Sequence, residues 1–145
     1  MRAVIFDLDD TLFAADNELH AGVEELLIIM GRLGFKIGAL ASGDHRALVR
    51  LDEAGVGQHF RSVLCSDNIT EPKDPQAIYK MLDSFGIAAQ QTVLISSLHR
   101  DIVLGKHAGL GKTIRIEYGT QNQSKHFAEA DHVVRDMPSV LDVLE

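Results

Sequence analysis

The chain has 145 residues, 46% of them hydrophobic, and its 14 Lys plus Arg against 21 Asp plus Glu leave a formal net charge of −7. That length predicts one domain, residues 1–145, built around one core. Apolar runs of only a few residues exclude a membrane-spanning helix, and the lack of any segment rich in Lys or Arg excludes a general nucleic-acid or membrane-surface binder.

Ala3–Phe6 is a short apolar run and predicts a buried strand, roughly Arg2–Leu8, running into Asp7, Asp9 and Asp10. Ala21–Leu33 has helical spacing in Val23, Leu26, Leu27, Met30 and Leu33, with Gly34 as its stop. Lys36–Ala41 is the second strand. Asp44–Ala54 reads as a helix with Asp44 as N-cap and Gly55 at its end, followed by a third strand over Arg61–Cys65. Pro75 suits the first turn of a helix over Pro75–Phe85 that Gly86 closes. Thr92–Ile95 is the fourth strand, Arg100–Ala108 a helix ended by Gly109, and Lys112–Ile116 the fifth strand. Tyr118–Lys125 is expected to be a mobile loop. His132–Val134 is a short sixth strand, and Ser139–Leu144 a last helix after Pro138. Strands alternating with helices predict an α/β protein with a mainly parallel sheet of five or six strands.

Cys65 is the only cysteine, so no intrachain disulfide can form, which fits a reducing cytoplasm. The N-terminus, with a brief apolar stretch followed by acids, lacks the pattern of a secretory leader. The seven histidines form no His-x3-His pair, so no zinc site is expected.

In open α/β sheets, ligands bind beyond the carboxyl ends of the strands. Those ends carry Asp7 and Asp9, Ser42, Lys73 and Asp101. Strand alternation would put Asp7 and Asp9 on one side. Like charges that close resist joint ionisation, and a cation, commonly Mg2+ in all-oxygen sites, relieves the repulsion. One Asp could then attack an electrophile, as carboxylates do in forming aspartyl-phosphates, and a second could exchange protons with the leaving group. Each residue also has a plainer reading. The acids could form a solvated turn, and Ser42 with Gly43 could shape a turn. Lys73 could be a surface lysine, and Asp101 could complement a helix dipole. Their convergence on strand ends in chain order favours a site.

The order Asp-x-Asp-Asp-Thr, then Ser, then Lys, then a late Asp resembles the haloacid dehalogenase superfamily of phosphohydrolases. Phe6–Leu12 is similar to its first motif, Leu40–Gly43 to its second, Pro72–Pro75 to its third, and Asp101–Gly109 to the latter part of its fourth. The resemblance implies a three-layer Rossmann-like fold and an Mg2+-dependent phosphomonoester hydrolase. Asp7 would be the nucleophile and Asp9 the proton donor and later base. Ser42 and Lys73, with Thr11 and Gly43, would hold the phosphoryl group. Asp7, the main-chain carbonyl of Asp9 and the fourth-motif residues would hold Mg2+. Asp9 favours phosphate chemistry over dehalogenation, because the family's dehalogenases lack that second acid. The family's Gly-Asp-Ser after strand four is here Ile95-Ser-Ser-Leu98, so a Ser replaces the metal-binding Asp, either Ser97, the preferred alignment, or Ser96. A neutral hydroxyl is a weaker ligand, so the alternative is a catalytically weakened or inactive phosphate-binding module. The spacings between motifs leave no room for a cap domain, which implies an open site for a phosphorylated substrate that can be bulky, with homo-oligomerisation left open. A phospho-receiver domain is a third reading, disfavoured because Lys73 comes early in the chain.

Overall fold

Six strands, Ala3–Asp7 (β1), Lys36–Leu40 (β2), Ser62–Leu64 (β3), Thr92–Ser96 (β4), Lys112–Ile116 (β5) and His132–Val134 (β6), form one sheet in the computed structural model, which describes residues 1–67, 73–118 and 130–144. The order is β3-β2-β1-β4-β5-β6 and every neighbouring pair is parallel. This is the doubly wound Rossmann order, not the 2-1-3-4-5 order of phospho-receivers. It reverses between β1 and β4, and a crevice at such a switch point is where ligands bind.

The three layers follow from strand alternation. In β1, Val4 and Phe6 belong to one buried cluster, with Leu26, Leu27 and Met30 of helix α1 (Val23–Arg32) and Ala47 and Leu51 of helix α2 (Arg46–Glu53). Ala3 and Ile5 belong to the other, with Ile78, Met81, Leu82 and Phe85 of α3 (Pro75–Phe85) and Leu104 of α4 (His99–His107). Odd-numbered β1 side chains therefore face α3 and α4. Asp7 continues that row, and this decides which groups it meets.

Most predicted elements match within two residues, with α3, β5 and β6 at the expected bounds. Helix α2 starts at Arg46 rather than Asp44, but Asp44 still closes its end, because its Oδ1 accepts the Arg46 amide at 3.0 Å. The last predicted α-helix, Ser139–Leu144, is instead a 3-10 helix over Pro138–Val143. Met137 and Val140 are both fully buried, and their spacing of three suits that tighter coil. Of the expected mobile loop, 119–125 lie outside the described residues. Tyr118 is anchored, with its ring stacked on His20 at 3.6 Å and its hydroxyl donating to the Thr11 carbonyl at 2.7 Å. Cys65 packs as a buried residue just after β3. No helix among the described residues is long and apolar enough to cross a membrane.

Gly105 lets α4 lie close against the sheet. A Cβ there would meet Leu94 Cδ2 at 2.8 Å and Thr113 Cγ2 at 3.0 Å. Gly105→Val is expected to cost about 1–3 kcal/mol by overpacking, read as a lower urea midpoint at unchanged slope. It should also displace Asp101, four residues earlier on the same helix.

Candidate active site

β1 ends at Asp7, and the chain turns at once. The amides of Thr11, Leu12 and Phe13 all reach back to the Leu8 carbonyl. Asp10 sits in the left-handed region at φ 63, which Asp tolerates better than most residues. This turn brings Thr11 under the end of β1, where its Oγ1 donates to Asp7 Oδ2 at 3.1 Å. The same oxygen accepts the Ser97 amide at 2.9 Å and lies 3.1 Å from Ser97 Oγ. Thr11 thus ties the ends of β1 and β4 across the switch point.

Lys73 immediately precedes Asp74, whose side chain accepts the Gln76 amide and caps α3, with Pro75 beginning the helix. Pro72 lies outside the described residues. Lys73 Nζ donates to Asp7 Oδ1 at 2.5 Å and to Asp101 Oδ2 at 2.8 Å. Asp101, in the first turn of α4, also accepts from Ser96 Oγ at 2.8 Å. Asp7, Asp101 and Ser96 are almost fully buried. Burial pushes the Asp7 carboxyl from an ordinary 3.8 up to about 6; Lys73 and Thr11 oppose this rise and the charge of Asp101 adds to it. One ammonium between two buried carboxylates is what keeps charge tolerable in this pocket.

Asp9 goes elsewhere. The alternation expected to align it with Asp7 stops with the strand, and its Oδ1 instead accepts from Arg50 Nη1 of α2 at 2.6 Å. Asp7 therefore faces the α3/α4 layer while Asp9 is held by the α2 layer. Ser42 follows β2, where its Oγ accepts from Arg100 Nη2 at 3.1 Å, and Gly43 follows it beside a cavity that Asp9 also lines. Arg50 and Arg100 are contacts that sequence reasoning missed. Arg100 had a faint signal, because it adjoins Asp101, while Arg50 had none. At the surface His45 Nδ1 is in hydrogen-bond contact with Asp67 Oδ2 at 2.9 Å, and Arg46 forms an ion pair with Asp44.

Chemically, the network offers a carboxylate with a cation beside it, hydroxyl and amide donors around it, and a second carboxylate within the same turn of chain. Among the described residues, no three His, Cys, Asp or Glu side chains converge as a metal cage. Asp101 Oδ1, however, is buried with no hydrogen-bond partner. Such an oxygen is costly unless a cation or donor meets it.

The family described as haloacid dehalogenase-like hydrolase matches over residues 14–115. Pyrophosphatase PpaX of Halalkalibacterium halodurans is 25% identical over 131 residues, 88% of this chain and 60% of that protein. A phosphoglycolate phosphatase of Pseudomonas syringae is 26% identical over 133 residues, 86% of this chain and 48% of that protein. The chain thus spans about half the length of these curated relatives. The solved structure of a HAD phosphatase from Thermococcus onnurineus superposes with a TM-score of 0.90 at 14% identity, covering 99% of this chain and 98% of that one, a likeness of fold. With more than half its length matched by that family, the chain belongs to the haloacid dehalogenase-like hydrolases.

Proposed function

We propose that the chain hydrolyses phosphomonoesters through an aspartyl-phosphate on Asp7. The observation that carries this reading is the single contact network joining Asp7, Thr11, Lys73 and Asp101 at the switch point. Asp7 attacks phosphorus in line with the ester oxygen, the P–O bond breaks, and Asp9 delivers its proton to the departing alcohol. Water then attacks the aspartyl-phosphate, Asp9 takes the proton, and inorganic phosphate leaves with Asp7 restored. Lys73 neutralises charge on Asp7 and on the phosphoryl oxygens, so alignment and electrostatics do most of the work. Ser42 and the Gly43 amide would hold phosphoryl oxygens, the Ser42 hydroxyl donating its hydrogen while its oxygen accepts from Arg100 Nη2. The names of the relatives, for pyrophosphate and phosphoglycolate, support a phosphorylated substrate. We extend the reading to residues 1–145 as one cytoplasmic unit. The β1–β2 connection carries a single α-helix and no inserted domain, which leaves the site open to bulky esters.

The donor set fits Mg2+, which is commonly held by one or two carboxylates together with substrate phosphate. Asp7, the Asp9 carbonyl, Ser97 and the unpartnered oxygen of Asp101 would hold it, and it would add positive charge facing the phosphoryl group. With Ser97 in place of a carboxylate, binding is expected to be weak. Ser97→Asp should tighten Mg2+ binding about tenfold or more, read by titration calorimetry, and should lower stability in metal-free buffer because a third carboxylate joins the site.

Phosphate release from an aryl phosphate, with and without Mg2+, tests the function. Turnover that rises with Mg2+ is expected, and no release above the blank under either condition overturns the reading.

A further inference from the structure

A cavity of about 370 Å3 opens beside Asp9, between the turn after β1 and the start of α2. Gly43 lies on its wall, and Arg46 and Arg50 line it from one face of α2, one helical turn apart. Under the phosphatase reading, Asp9 meets the departing oxygen, so whatever fills this cavity is the leaving group. Its volume equals that of about a dozen waters, room for the anionic end of a leaving group whose remainder extends into solvent.

The outer guanidinium, Arg46, is held loosely enough to change partners. Among the described residues Arg46 pairs with Asp44, two residues away, and its side chain is 80% exposed. Exposed local pairs of this kind contribute little and are readily given up. Arg50 is better enclosed, with its guanidinium 4.4 Å from the centre of the Phe13 ring. It binds Asp9 through Nη1, and its side chain stays 27% exposed. A guanidinium carries five donors in a fork that matches the two oxygens of a carboxylate or phosphate. One carboxylate oxygen of Asp9 does not exhaust that fork. A planar anion in the cavity would meet the donors that remain accessible, with Arg46 closing on it from the outer side.

We propose that this cavity binds the leaving group and that Arg46 and Arg50 select leaving groups bearing a second anion, a carboxylate or a phosphate. The proposal rests on the phosphatase reading for what enters the cavity. Arg50 thereby has a second role, as a positioning residue that holds Asp9 at the cavity's inner edge while the site is empty.

The test compares two esters that differ only in the anion, 2-phosphoglycolate and 2-hydroxyethyl phosphate, with inorganic pyrophosphate as the phosphate-bearing arm. In the wild type, kcat/KM is expected to favour 2-phosphoglycolate over 2-hydroxyethyl phosphate by about tenfold or more, the scale of one charged hydrogen bond. That ratio should collapse towards one in Arg46→Gln/Arg50→Gln and be partly kept in Arg50→Lys. Preference for pyrophosphate should fall in parallel if the arginines read charge. If it holds while the carboxylate preference falls, the selection is for carboxylates. A wild-type ratio near one, or a ratio unchanged by the double substitution, overturns the proposal. Calorimetric binding of the same esters to Asp7→Asn repeats the comparison without turnover. Preference in binding with no turnover by the wild type would sink the phosphatase reading and leave the anion pocket standing. Turnover with no preference in either measurement would do the reverse.

Discussion

Asp7→Asn is expected to remove turnover by about 10^4-fold or more, the scale seen when a covalent nucleophile is lost, while the protein stays folded. The amide is close in size to the carboxyl; its oxygen can keep the bond from Lys73 while its NH2 donates to Thr11 Oγ1, and Lys73 retains its bond to Asp101. Burial already disfavours the charged form of Asp7, so a neutral amide removes a desolvation cost that the wild type carries for function. The sign with pH follows. A carboxyl held at about 6 in the folded metal-free protein, against an ordinary 3.8, contributes stability that is complete below the lower value and lost as pH rises through the higher one. The stability of Asp7→Asn relative to wild type should therefore increase between about pH 4 and 6, by up to about 1.4 kcal/mol for each step of one in pH. Urea unfolding at intervals across that range measures it. A variant that keeps wild-type turnover, or a stability difference that is flat with pH, contradicts the assignment.

Lys73→Met is expected to have the larger effect on folding. It leaves Asp7 and Asp101, both nearly inaccessible to water, facing each other without the ammonium they share. Removing one partner from a buried ionic network costs about 3–5 kcal/mol, which for a chain of this size lowers the melting temperature by roughly 10 °C. On the proposed mechanism activity should fall by about 10^3-fold, because neither Asp7 nor the phosphoryl oxygens keep their cation. A second variant separates charge from packing. Adding Asp101→Asn to Lys73→Met removes one of the two repelling carboxylates and should restore more than half of the lost stability while leaving activity low. No recovery in the double variant would mean that Lys73 acts mainly through its aliphatic stem.

Much of this protein can be read in order along the chain. The parallel α/β class, the bounds of α3, β5 and β6, and the glycine stops at Gly34, Gly86 and Gly109 follow from local rules, and all three glycines have positive φ. Asp7, Lys73 and Asp101 are legible for a related reason, whereas Thr11 enters only through the resemblance of Phe6–Leu12 to a family motif. Parallel strands deliver their carboxyl ends to one edge, so polar residues just past apolar runs converge there wherever the sheet order puts them. The expected end of the chain differs because an apolar spacing of three suits a tight 3-10 turn as well as a short α-helix, and only packing chooses between them.

The sequence by itself determined the element order and the strand-end list of chemically able residues, because each depends on local hydrophobic patterning and on polar groups at strand ends. Only the tertiary structure decided how those residues are partnered. Asp9 faces Arg50, 41 residues away, and Ser42 faces Arg100, 58 residues away. Helical periodicity says which face of α2 is buried but not which strand end that helix lies beside. The strand's stop at Asp7 likewise sends two carboxylates of one motif into different layers. These are contacts between elements, set by how helices dock on the sheet, and no local pattern encodes them.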